Sequence, residues 1–209
     1  MKHVPTLFGV AALVALATHP AEGQWKFGLT PSFASYFPMA RLVDSVGYTE
    51  KQANAPMLGL RATYWIGRQV ALEVGTAVTN SKIVTEASGQ LLSGSVTNKE
   101  SGTLWFSSLR LLFKPARSNF FGFVGPSLIL RRGAAWPVGT FPDRDNVGAV
   151  IGLGARSEVT SSLSLWVSAE VHIYSADFDG SGVSGRYYSR TLQSDVLVTI
   201  GVPIAILNR

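Results

Sequence analysis

Cysteine is absent, and only 15% of the residues are Asp, Glu, Lys or Arg. The first absence excludes a disulfide framework and any thiolate metal site. The second departs from soluble domains, where roughly a quarter of residues are charged. Histidine is nearly missing too. His3 and His19 sit in the first twenty residues, which leaves His172 as the one histidine of the body of the chain. That removes multi-histidine metal sites and most acid–base constellations. No apolar run reaches the ~20 residues of a membrane-spanning helix, because charged or turn residues interrupt each one. The formal net charge is +5, yet Lys and Arg are scattered and form no basic run. That argues against nucleic acid and suits an anionic lipid surface. Phosphate loops of the G-x-x-x-x-G-K type are absent as well.

The N-terminus reads as an export signal. Lys2 and His3 open Met1–Gly23, Leu7–Ala17 is apolar, and Ala21-Glu22-Gly23 sets small residues at the cleavage-determining positions. Cleavage is expected before Gln24, leaving Gln24–Arg209 as one domain.

Beyond Gln24 the sequence alternates. Leu58, Leu60, Ala62, Tyr64 and Ile66 interleave with Gly59, Arg61, Thr63 and Trp65. Leu163, Leu165, Val167, Ala169, Val171 and Ile173 interleave with Ser164, Trp166, Ser168, Glu170 and His172. Period two places alternate residues on opposite faces of a sheet. Strands are expected at Trp25–Tyr36, Met57–Ile66, Val70–Thr79, Thr103–Phe113, Phe120–Arg131, Val147–Val159, Leu163–Tyr174 and Gln193–Ile206. Their connections run long, short, long, short, long, short, long, the order of a transmembrane barrel with tight turns at one end and loops at the other.

A connection centred on Ser161 pairs Arg156 with Trp166 and Glu158 with Ser164, and sets Ala155 against Val167. A connection centred on Arg68 sets Arg61 opposite Gly75 and Glu73 opposite Thr63. Arg61 and Glu73 are then diagonal neighbours, expected to form an internal ion pair. Two strands fit less well. Leu104, Phe106 and Leu112 share a face with Arg110, and Phe120–Arg131 is largely apolar on both faces. A bulge or shifted turn near Lys114–Asn119 would account for both.

In the last strand Thr199, Gly201, Ile204 and Ile206 fit the polar-x-Gly-x-x-apolar-x-apolar spacing of a barrel-assembly signal. Over Gln24–Arg209 the chain resembles the OmpA/OmpX-type eight-stranded outer-membrane barrels. It departs from them in ending Ile206-Leu207-Asn208-Arg209 rather than on an aromatic residue. The resemblance implies an all-β fold, an eight-stranded antiparallel transmembrane β-barrel in the outer membrane of a diderm bacterium. It also implies a monomer whose partners are outer-membrane lipids and the outer-membrane assembly machinery, with no nucleic acid.

The inward face is expected to carry Lys26, Arg61, Arg110 and Arg156 with Glu73, Glu158, Glu170, His172 and Asp195. Eight strands enclose a space that side chains fill, and buried charges persist when paired. This set therefore reads as a structural charge network in a mostly closed interior, with Arg156 over Trp166 as a candidate cation–π contact. No catalytic residue, cofactor or metal is assigned. The enzyme alternative is a lipid A deacylase-like barrel, which uses His-x-Ser. Here His172 and Ser175 are spaced His-x-x-Ser, on opposite faces of a strand. Asp177, Asp179 and Ser181, with glycines at 180, 182 and 185, read as an external loop, as does Pro142–Asn146. Trp25, Phe27, Phe33, Phe37, Tyr64, Trp105 and Phe113 fall on or near the lipid face, as interfacial girdles require. The expected role is structural or surface-interacting. The alternatives are a small channel, the lipid-modifying enzyme, and a secreted lipocalin-like carrier.

Overall fold

The computed structural model describes residues 25–39, 41–45, 48–88, 93–136, 144–160, 163–176 and 191–208. Met1–Gly23 and the Asp177–Gly185 loop lie outside them. The strands are β1 (Trp25–Pro38), β2 (Arg41–Ser45), β3 (Tyr48–Gln52), β4 (Ala55–Trp65), β5 (Val70–Ser88), β6 (Ser93–Phe113), β7 (Phe120–Gly133), β8 (Asp145–Glu158), β9 (Ser164–Ala176), β10 (Thr191–Gly201) and β11 (Ile204–Asn208).

β4 through β10 pair antiparallel in chain order, and β1 closes the ring between β4 on one side and β10 with β11 on the other. β10 and β11 are one wall strand broken at Pro203, which has no N–H to give the ladder. Ser32↔Gly201 and Leu29↔Ile204 lie in one continuous register, and Val202 N still donates to Pro31 O at 3.1 Å. The wall therefore counts eight strands, as expected. Closure removes the unpaired edges that lipid would not tolerate.

The expected hairpin registers are present. Arg61 faces Gly75, Glu73 faces Thr63, Arg156 faces Trp166 and Glu158 faces Ser164. The anticipated bulge near Lys114–Asn119 is not. β6 and β7 hold one register from Gly102↔Gly133 to Phe113↔Gly122, unpaired only at Leu109–Arg110 against Gly125–Pro126. Pro126 cannot donate there, and a Cβ on Gly125 would overlap the Leu109 carbonyl. The ambiguous face of β7 is thereby settled: Phe121, Phe123, Ser127, Ile129 and Arg131 are buried, while Phe120, Val124 and Leu128 face outward.

Leu104, Phe106 and Leu112 do share the inward face with Arg110, so the interior is not uniformly polar. Trp65, Ala71, Leu112, Phe121, Phe123, Val150 and Trp166 form one buried apolar cluster. Met57, Ile83, Leu104, Phe106, Ile129 and Trp136 belong to another. Away from paired charges, apolar side chains fill a narrow lumen. The outer face is apolar where a lipid face should be, with Leu58 68% and Leu153 72% exposed. Phe33, Phe37, Tyr64, Trp105 and Phe113 lie on it.

β5 and β6 differ most from expectation, at 19 and 21 residues against the ~10 that cross a bilayer. The connection read as a long loop is largely a continued hairpin. β-branched Ile83, Val84, Thr85, Val96 and Thr97 favour extended backbone. β3 pairs with β5 from Gln52↔Ile83 to Tyr48↔Ala87, and β2 pairs with β3. Four strands thus project past the wall in the order β2-β3-β5-β6. Ser81 Oγ donates to Ala53 O at 2.7 Å and Ala53 N to Lys82 O at 2.7 Å, fastening the projection where β3 passes into β4.

Candidate functional site

Alternation on β4, β5, β6 and β9 brings Arg61, Glu73, Arg110, Glu170 and His172 to one level of the lumen, all buried. Arg110 is the hub. Its Nη1 lies 2.6 Å from Glu170 Oε2 and 3.4 Å from Glu73 Oε1, and its Nη2 donates to Glu170 Oε1 at 3.1 Å. Its Nε donates to Ser108 Oγ at 2.7 Å, and the guanidinium carbon sits 4.9 Å from the Phe123 ring centre. Arg61 spans the lumen to Glu170 Oε2 at 3.3 Å and to Ser168 Oγ at 3.0 Å. Glu73 is completed by Thr63 Oγ1, which donates at 2.8 Å.

The expected Arg61–Glu73 ion pair is therefore replaced. Each residue has the predicted strand position, but Arg61 turns to β9 and Glu73 to β6. Two guanidiniums and two carboxylates balance formally, which is the condition for burying charge at all. His172 lies against this belt, Nε2 3.5 Å from Glu170 Oε1 and its ring 4.7 Å from that of Phe106. Ser175 is exposed on the other face of β9.

Asp195 does not join the belt. It belongs to a second buried cluster nearer the long-loop end, built on Arg131. Tyr36 Oη donates to Asp195 Oδ1 at 3.2 Å and Tyr174 Oη to Oδ2 at 2.8 Å. Arg131 Nη2 donates to Tyr174 Oη at 2.7 Å and lies 3.7 Å from Asp195 Oδ2, while Nη1 donates to Asn146 Oδ1. The same guanidinium stacks 5.4 Å from Trp136 and 5.2 Å from Tyr174. Trp136 follows β7 through Gly133, whose φ of 101° turns the chain back over the lumen. Its ring occupies the space that a Cβ on Gly102 would need. A void beside the charge belt, lined by Arg61, Gly75, Phe106 and Glu170, measures about 10 Å³, room for one water.

Lys26 leaves the interior, whereas Arg156 and Glu158 keep the inward register of β8 at its short-turn end, apart from the charge belt. Lys26 is exposed, its Nζ 5.9 Å from the outward Tyr64 ring, because β1 is irregular between Trp25 and Phe27 where it meets β11. Arg156 and Glu158 are half-buried at the short-turn end, where Arg156 Nη2 donates to Ser164 Oγ at 3.3 Å. Trp166 packs edge-on against Phe121, ring centres 4.6 Å apart. Sequence reasoning missed Arg131, Asn146, Tyr36 and Trp136. The available signal was that Arg131 shares the period of Phe121, Phe123 and Ile129, which becomes informative once aromatics are accepted inside.

No family model matches the chain, and no curated protein matches it in sequence. Solved structures do match in shape. The outer membrane protein OprG from Pseudomonas aeruginosa superposes with a TM-score of 0.58 at 15% identity, covering 88% of this chain and 98% of its own. Neisserial surface protein A gives a TM-score of 0.49 at 15% identity, covering 88% of this chain and 100% of its own. The fold of this chain is the closed, all-β, eight-stranded antiparallel barrel of the outer-membrane proteins.

Proposed function

We propose that the protein is a monomeric outer-membrane barrel with a closed interior, serving to hold the β2-β3-β5-β6 projection in the surroundings of the cell. The observation that carries this is the pairing of a filled lumen with strands that outrun the wall. Arg61, Arg110 and Arg131 cross the interior to carboxylates on other strands, and all three are buried. Aromatic clusters fill the levels around them. A conducting path would have to break open both charge clusters, whose ionised members would lose their counter-charges. The short turns face the periplasm and the long connections face outward, after export and cleavage before Gln24. Lipids contact the apolar outer face, and the assembly machinery inserts the chain.

Planar-bilayer recording on the purified protein is the test. A flat trace is expected, whereas stepwise conductance would replace this reading with the channel. Envelope fractionation and a gel shift on boiling check the location. Extraction without detergent would point to the soluble carrier.

A further inference from the structure

A groove of about 550 Å³ opens on the outer wall at the short-turn end, lined by Val70, Phe113, Lys114, Phe120, Gly122 and Leu153 among others. Register explains it. Val70 pairs with Phe113, Phe113 with Gly122, and Gly122 with Leu153, so one outward row crosses four strands. Phe113, Phe120 and Leu153 stand out from the wall, and Gly122 leaves a notch between them. That glycine is not forced by packing. A Cβ there would meet Leu153 Cδ2 at 3.5 Å and Gly152 O at 3.9 Å, ordinary contacts. Gly152 and Gly154 differ, because a Cβ on either would strike the Phe123 or Phe121 ring.

Charge marks one end of the groove. β6 ends at Phe113 and β7 begins at Phe120, so Lys114 sits at the mouth, half-buried, with Arg117 exposed in the same turn. No lining residue is acidic. Burial and the neighbouring Arg156 lower the Lys114 pKa, against the opposing pull of Glu158. An anion at the mouth would relieve that. An apolar slot with a lysine at its mouth and an arginine in the same turn matches an acyl chain with a negative headgroup.

We propose that this groove holds one anionic phospholipid of the periplasmic leaflet, an acyl chain over Gly122 and the phosphate at Lys114 and Arg117. The assignment rests on the membrane reading above. The probe is phosphatidylglycerol against phosphatidylcholine, offered to the full chain in non-ionic detergent, with retained lipid counted by native mass spectrometry. Wild-type protein is expected to keep one phosphatidylglycerol in about tenfold preference. Gly122→Leu fills the slot and Lys114→Glu reverses the charge, so both are expected to drop to the phosphatidylcholine level. Lys114→Arg is expected to retain the preference. Equal retention of the two lipids by wild type, or an undiminished preference in either disabling variant, overturns the site. Lys114→Glu lies in a turn outside the wall and decides the matter alone if Gly122→Leu fails to fold. A protein that stays monodisperse without detergent would instead overturn the membrane reading.

Discussion

Arg110 and Glu170 stand 60 residues apart in the chain, on strands separated in the wall by β7 and β8, yet Arg110 Nη1 lies 2.6 Å from Glu170 Oε2. The contact spans the lumen and ties two sides of the barrel directly. Because Arg61 shares the same carboxylate, Glu170 is held by two guanidiniums at once. A charge belt of this kind makes each member expensive to remove alone.

Arg110→Leu is expected to destabilise the barrel by ~3–5 kcal/mol, because Glu73 and Glu170 are left with one guanidinium between them. Adding Glu170→Gln restores the balance of Arg61 against Glu73, so the double variant should recover some of that loss. Urea unfolding in lipid vesicles measures the cycle. Strict additivity would refute the contact.

The two tyrosines on Asp195 are unequal. Tyr36 makes one hydrogen bond to the carboxylate, whereas Tyr174 makes one and receives another from Arg131. At about 1 kcal/mol per bond, Tyr174→Phe should cost roughly twice what Tyr36→Phe does. Identical shifts in unfolding midpoint would argue that Arg131 does not depend on Tyr174.

Gly122 and Gly125, both on β7, should respond unequally to a methyl group. Gly125→Ala places it against the Leu109 carbonyl and must push β6 from β7, costing about 1–3 kcal/mol. Gly122→Ala meets only ordinary contacts and should be close to neutral. Comparing thermal gel-shift midpoints of the two variants checks this, and a harmless Gly125→Ala would disprove the close approach.

His172 is buried against Phe106 and Glu170, away from Ser175. His172→Gln keeps hydrogen-bonding capacity and is expected to lower stability by ~1 kcal/mol while leaving lipid A unaltered in expressing cells. Mass spectrometry of lipid A is the readout. Loss of an acyl chain that depends on His172 would make the protein an enzyme.

Much of the wall is legible in the sequence alone. Period-two patterning depends only on which side of a strand faces out of the barrel, and a three-residue connection fixes the register of the strands it joins. Hence Arg156 meets Trp166 and Arg61 meets Gly75 as the sequence predicts. β7 resisted because its inward side is as apolar as its outward side, so the pattern carries no contrast. The projecting hairpin resisted too, since strands that pair past the wall need no apolar outward face and so carry no alternation.

The amino-acid sequence by itself determined the barrel, its apolar outer face and its hairpin registers, all consequences of residues adjacent in the chain or across one short turn. Tertiary structure alone decided that Arg61 binds Glu170 rather than Glu73, that Arg131 takes Asp195, and that Trp136 turns back over the lumen. Those partners belong to strands that are not neighbours in the wall. Only closure of the ring brings them within reach, and a distance across the lumen leaves no trace in the alternation of any single strand.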